Sequence, residues 1–314
     1  MYGMKLISGS GQADHAMVIL HGILQTRDDL ADPFGTALAS RAGSNVDIYV
    51  YGYDHTRQLI LNGDLLADGL AAVKAKRIDL VGYSMGGLVA RLGASERLNP
   101  CLRRVITIAT PNRGALGPAQ LTLLGQVARQ AFHYFSAIAP RTAGVKDLTQ
   151  AAAIMKARRE RLMAEHPSGD SPVSGLAYAS IPALFYNPDR TDFEFGPSIS
   201  LTVVQGVFLA ARLKLQLEAM QRSHDGIVTE ESCQINRKES HDWSEVHLAS
   251  AGPNGEPQYC HAVLDAFADH DHSSIIRSGA GACAELVWLL ASTSDWSTLK
   301  SNKAYAPRAR FNTD

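Results

Sequence analysis

The chain has 314 residues, 46% of them hydrophobic and 19% charged, a balance that belongs to a globular protein and not to a disordered or coiled one. Thirty basic residues against 31 acidic ones leave a formal charge of −1, so nothing in the charge points to a nucleic-acid partner. The four cysteines, Cys101, Cys233, Cys260 and Cys283, are scattered and form no C-x-x-C. At this length a disulfide scaffold is not needed, and metal-ligand spacing is absent. Four free thiols are expected.

The first residues, Met1 to Ser10, carry Lys5 as their only charge and too short an apolar stretch for a secretory leader. A cytoplasmic protein is expected, with signal-independent export left open. Short apolar runs then alternate with helical patterns: Met17–Leu20, Val46–Tyr51, Ile78–Gly82, Val105–Ile108, Ala183–Tyr186 and His261–Leu264. Runs that are almost wholly apolar fit strands buried on both faces. A helix with Leu65, Leu66, Leu70 and Val73 on one side is predicted between the second and third runs. This alternation predicts an α/β fold, a mostly parallel sheet of about six strands covered by helices.

Two stretches interrupt the alternation. Residues 115–178 read as a helical cap insertion with a basic run at Lys156–Arg161, closing in a Pro/Gly/Ser-rich loop from Pro167 to Gly175. Residues 191–222 form a second, apolar insertion; its uncharged part, Phe195–Ala211, falls short of the roughly 20 apolar residues a membrane helix needs. A mobile amphipathic lid over Pro197–Leu217 is expected, able to touch a lipid surface transiently. The core is then residues 1–114, 179–190 and 223–296, and the polar, basic tail 297–314 is expected to be loose.

The chemistry-bearing motifs occupy the ends of the predicted strands. Gly82-Tyr83-Ser84-Met85-Gly86 lies between an apolar run and a helical segment, the setting in which G-x-S-x-G forces a serine onto a strained turn. His21-Gly22-Ile23 follows the first core run, and Ala109-Thr110-Pro111-Asn112-Arg113-Gly114 follows the fourth. Val145-Lys146-Asp147-Leu148 sits in the first insertion; His224-Asp225-Gly226-Ile227-Val228 and Asp271-His272-Ser273-Ser274-Ile275 come later. Together these motifs, spanning Val18 to about Ile276, resemble the α/β-hydrolase superfamily. Within it they are similar to bacterial lipases and the palmitoyl-thioesterase and inositol-deacylase-like branch.

A serine hydroxyl is a poor nucleophile at neutral pH and needs a base, and that base needs a carboxylate to fix its tautomer. The chain order Ser84, Asp225, His272 matches the nucleophile–acid–base order of that fold. The resemblance implies Ser84 as nucleophile, Asp225 as acid and His272 as base, with the backbone N–H groups of Ile23 and Met85 as oxyanion donors. Asp189 is the competing acid and His270 the competing base, while His21 is expected to buttress its own loop. His241, His247 and His261 lack a tight ligand pattern, so neither a metal nor a cofactor is expected.

The expected activity is hydrolysis of carboxylic esters with hydrophobic acyl groups, through an acyl-enzyme. A thioesterase or acyltransferase would use the same three side chains, and a non-catalytic binding protein is the reading from another class. The expected partner is a hydrophobic ester or lipid.

Overall fold

The computed structural model describes residues 2–23, 25–96, 99–112, 143–151, 153–155, 157, 177–184, 225, 228, 230–233, 260–264, 267–268, 270, 272–294 and 309–311. The strands are β1 (Gly3–Ser8), β2 (His15–Leu20), β3 (Val46–Gly52), β4 (Arg77–Tyr83), β5 (Leu102–Ile108), β6 (Ala177–Ile181), β7 (Ala183–Leu184), β8 (Cys260–Leu264), β9 (Phe267–Ala268) and β10 (Ala309–Phe311). The main sheet runs β1-β3-β2-β4-β5-β6-β8-β10, with β7 and β9 paired apart from it. Its six central strands, β3 to β8 in that order, are parallel, and the two outermost, β1 and β10, are antiparallel.

Helices cover both faces. They are α1 (Arg27–Leu30), α2 (Thr36–Ala42), α3 (Leu59–Leu70), α4 (Met85–Glu96), α5 (Ala143–Thr149), α6 (Glu230–Cys233) and α7 (Ala280–Ser292). Every residue of β2 is buried, and successive side chains point to opposite faces of a strand. Met17 and Ile19 therefore join Leu38 of α2 and Cys283, Leu286, Val287 and Leu290 of α7 on one face. Ala16, Val18 and Leu20 join Leu59 and Leu66 of α3 and Leu88 and Leu92 of α4 on the other. Each fully buried leucine or isoleucine there contributes on the order of 1.5–3 kcal/mol.

The strand order positions the site. From β2 the chain steps outward to β3, then returns to β4 on the other side of β2 and proceeds to β5 and β6. The carboxyl ends of β2 and β4 thus flank the point where the winding reverses, the crevice in which open α/β sheets bind ligands.

Several sequence expectations shift. The sheet strand expected at Ala183–Tyr186 is Ala177–Ile181 instead, and Ala183–Leu184 pairs with Phe267–Ala268. Pro182 stands between them and has no N–H for a ladder, so the chain leaves the main sheet there. On α3 the buried positions are Leu59, Asn62, Gly63, Leu66, Ala67 and Leu70, whereas Leu65 is 40% exposed. One residue is a 100° step on a helix, which carries Leu65 off the stripe that holds Leu66. The sequence pattern marks neither edge strand: Gly3–Ser8 pairs along β3, and Ala309–Phe311, in the tail expected to be loose, pairs with Ala262–Leu264. Both occupy backbone positions that would otherwise be open sheet edges.

In the first insertion, Leu148, Ala151 and Met155 are buried against the α3/α4 side of the core. The Asp147 carboxylate accepts the Leu59 N–H at 2.9 Å, which caps α3 from across the chain. The rest of that insertion, the basic run apart from Ala157, the Pro167–Gly175 loop and the expected lid over Pro197–Leu217 lie outside the described residues. Among the described residues no helix is long and apolar enough to cross a membrane. Cys101, Cys233 and Cys283 are free thiols.

Candidate active site

Strand β4 ends at Tyr83 and α4 begins at Met85, so Ser84 is the whole of the turn between them. Its φ is 53°, a left-handed conformation that costs a non-glycine residue free energy and persists only where the surroundings impose it. Here they do: Ser84 N–H donates to the Ile108 carbonyl at 2.8 Å, and the Ser84 carbonyl accepts from Gly87 at 3.0 Å. The flanking glycines are steric necessities. A Cβ on Gly82 would lie 2.3 Å from Gly87 Cα, and one on Gly86 would lie 2.4 Å from the Leu20 carbonyl oxygen.

Ser84 Oγ is 2.8 Å from His272 Nε2, and His272 Nδ1 is 2.6 Å from Asp225 Oδ2. These partners assign the tautomer: Nδ1–H donates to the carboxylate and Nε2 accepts the serine hydroxyl proton. The second oxygen of Asp225 accepts the Val228 N–H at 2.7 Å. The loops are tied to each other by backbone as well, through His272 N–H to the Asp225 carbonyl and Asp225 N–H to the Val228 carbonyl. All three side chains are buried, in surroundings that strengthen such charge-assisted bonds.

Across the crevice, the turn after β2 is held by His21. Its ring stacks on Tyr53 at 4.3 Å. Its Nδ1–H donates to the Gly22 carbonyl at 2.8 Å, and its Nε2 accepts the Tyr53 N–H at 3.3 Å. Burial lowers its pKa from 6.5 to about 4, so His21 is neutral near pH 7 and serves as a brace, as expected. Tyr53 O–H donates to the His21 carbonyl, and Gly22 N–H is taken by Gln25 Oε1. The next N–H belongs to Ile23, and across the crevice the N–H after Ser84 belongs to Met85. Among the described residues neither is taken by an acceptor.

No protein-family sequence model matches this chain, and no curated protein matches it by sequence. Solved structures do match in three dimensions. The lipase BlEst2 of Bacillus licheniformis in its propeptide form aligns with a TM-score of 0.59 at 17% identity, over 93% of this chain and 54% of that one. The mature form of the same lipase aligns with a TM-score of 0.55 at 16% identity, over 93% and 97% of the two chains. This chain therefore spans about half of the propeptide form and nearly all of the mature one.

The protein has the α/β-hydrolase fold.

Within that fold the predicted residues divide cleanly. Ser84, His272 and Asp225 meet in one hydrogen-bonded chain. His270 does not join it; its Nδ1 lies 3.3 Å from Ser274 Oγ, and its ring packs over Gly279. Asp189, His241 and His247 lie outside the described residues. Among the described residues no cluster of His, Cys, Asp and Glu could hold a metal ion.

The sequence does not reveal the side chains that hold Ser84 and His272 in place. Tyr83 O–H donates to the His272 carbonyl at 2.7 Å, and the two rings lie 5.3 Å apart. Thr110 Oγ1 lies 3.3 Å from the Gly82 carbonyl, across the base of the serine turn. In the first insertion, Gly144 N–H donates to the Thr56 carbonyl, and a Cβ on Gly144 would lie 2.9 Å from Met85 Cε. Helix α5 therefore packs directly against Met85, the residue that follows Ser84. Only the motif glycines and the Thr-Pro pair marked these places in the sequence; the partners are far away along the chain.

Proposed function

We propose that this protein is a serine hydrolase of carboxylic esters. One observation carries the reading: a buried Ser84–His272–Asp225 chain with hydrogen bonds of 2.8 and 2.6 Å, its serine held at φ 53° on the turn between strand and helix. The chemistry follows from those atoms. His272 Nε2 takes the proton from Ser84 Oγ as that oxygen bonds to the ester carbonyl carbon, and Asp225 stabilises the imidazolium without itself being protonated. The carbonyl oxygen, now carrying negative charge, accepts the Ile23 and Met85 N–H groups. Collapse of this adduct breaks the bond to the alcohol oxygen, which leaves with the proton from His272. Water then attacks the acyl-Ser84 ester, giving its proton to His272, and the acid departs as Ser84 recovers its own.

Hydrophobic acyl groups are the favoured substrates. The apolar second insertion in the sequence supports this, as does the fold shared with a protein named a lipase. The reaction needs no metal or cofactor.

The test pairs a fluorophosphonate probe with p-nitrophenyl esters of increasing chain length. The wild type is expected to label at Ser84 and to turn over esters, with kcat/KM rising with acyl length. Ser84→Ala should lose label and turnover together while remaining folded, leaving only the small residual rate that binding and the oxyanion donors supply. Activity of Ser84→Ala within about tenfold of the wild type would overturn the nucleophile assignment.

A further inference from the structure

Asn112 is the last described residue of the Thr-Pro-Asn stretch after β5, and its side chain is wholly buried. Its Nδ2 donates to the Cys233 carbonyl at 2.6 Å and to Thr107 Oγ1 at 3.2 Å, and its Oδ1 accepts from Arg91 Nη1 at 3.1 Å. Those partners belong to three different elements. Arg91 is on α4, the helix that starts at the nucleophile turn; Thr107 is on β5; Cys233 ends α6, the single turn that follows the acid loop. Thr107 in turn reaches the Ala179 carbonyl on β6 at 3.1 Å.

We propose that Asn112 is a positioning residue for the acid, bracketing the loop of Asp225 to the helix of Ser84 so that the carboxylate meets His272 Nδ1. This rests on the ester-hydrolase reading above. An amide suits the task because it accepts and donates at once. The guanidinium of Arg91 can only donate, and the Cys233 carbonyl can only accept. Asn112 joins them by presenting an oxygen to one and an NH2 to the other. Its partners sit in a buried setting, where an unmet polar group is costly. A side chain that cannot donate therefore loses its bond to the Cys233 carbonyl, and α6 loses the tie that Asn112 gives it to α4 and β5. The geometry of a triad tolerates little of this: a misplacement of about 1 Å can lower the rate by roughly a hundredfold.

The discriminating variant is Asn112→Asp. It keeps the size of the side chain and the oxygen facing Arg91 but removes both donated hydrogens. Its readouts are the far-downfield imidazole N–H proton resonance of His272, assigned by its loss in His272→Gln, and the kcat/KM–pH profile on one p-nitrophenyl ester. The expected result is a weakened or lost resonance and kcat/KM lower by roughly a hundredfold. The acid limb of the profile should also differ from the wild type's, because the acid–base group no longer holds the same geometry. Cys233→Ala disturbs the same packing but keeps the carbonyl, and should leave resonance and acid limb in place. If Asn112→Asp does not fold, Asn112→Ser, smaller and still a donor, should retain part of the resonance.

An unchanged resonance and acid limb in a folded Asn112→Asp protein would overturn the proposal, whatever happens to its thermal stability. The resonance does not depend on turnover. Its loss in Asn112→Asp alongside a wild type that hydrolyses no ester would keep the bracket and sink the hydrolase reading.

Discussion

The two ends of the central strands each bury a histidine–aspartate pair, and they differ in what faces the other ring nitrogen. At the carboxyl ends, His272 pairs with Asp225 through Nδ1 and offers Nε2 to the hydroxyl of Ser84. At the amino ends, His15 of β2 pairs with Asp79 of β4 through Nε2 at 2.8 Å, while its Nδ1 meets the guanidinium of Arg77. Both pairs are buried. A serine hydroxyl can give up its proton to a base that is itself supported, whereas an arginine keeps its protons throughout. The backbone differs too. Ser84 and Ala109, both with positive φ, stand at the carboxyl ends of β4 and β5, while no residue of β2 or β4 has positive φ at the amino ends, where His15 lies opposite Arg77. A histidine–aspartate pair therefore does not by itself mark a site. Its third partner and the strain around that partner do.

The sharpest way to break this contrast is to exchange consequences between the two ends. His272→Ala is expected to lower kcat of the folded protein by a factor on the order of 10⁴ to 10⁶, the range seen when triad members are removed from serine proteases. His270→Ala, outside the hydrogen-bonded chain, should stay within about tenfold of the wild type. Ester turnover of the purified variants reads both. A dead His270→Ala beside an active His272→Ala would move the base to the other histidine of that loop.

The amino-terminal pair should lose stability without losing turnover. Asp79→Ala leaves the buried His15 ring without the carboxylate that its Nε2 meets, and a buried polar group left unpartnered costs about 1–3 kcal/mol. Urea unfolding should record that loss, while kcat of the folded fraction stays unchanged. A large fall in kcat with stability intact would erase the distinction between the two ends.

A smaller effect sharpens the comparison within the carboxyl end itself, where one histidine is read as a base and another as a brace. His21 has a folded pKa of about 4 against an ordinary 6.5 because it is buried. Between those values the unfolded chain binds a proton that folded His21 does not. Stability therefore rises with pH through that window and falls as acid is added, by about 1.4 kcal/mol per pH unit and roughly 3 kcal/mol in all. His21→Asn should lack this component, so its urea midpoint should fall less steeply from about pH 6.5 to pH 4 than the wild type's. Parallel slopes for the two proteins would remove the neutral-brace reading.

Local physics made much of this protein legible. Four apolar runs, Met17–Leu20, Val46–Tyr51, Ile78–Gly82 and Val105–Ile108, are strands of the parallel sheet, because a strand covered on both faces must be apolar throughout. The glycines around Ser84 announced the turn; Gly82 must clear Gly87 a few residues on, whereas the Leu20 carbonyl that Gly86 must clear is remote in sequence. What sequence could not supply was set by contacts between distant segments. The motif resemblance names His272 ahead of His270, but the bond that joins it to Ser84 reaches across 188 positions, and the Tyr83–His272 tie spans 189. The strand at Ala177–Ile181 is less apolar than the run after it, yet it holds the place beside β5 because Pro182 ends the ladder. Leu65 and Leu66 are alike in sequence, and only the packing of α3 against α4 leaves one exposed and buries the other. Periodicity and backbone sterics belong to neighbours in the chain, whereas partners, registers and the two ends of Asn112 exist only once the sheet has brought remote residues together.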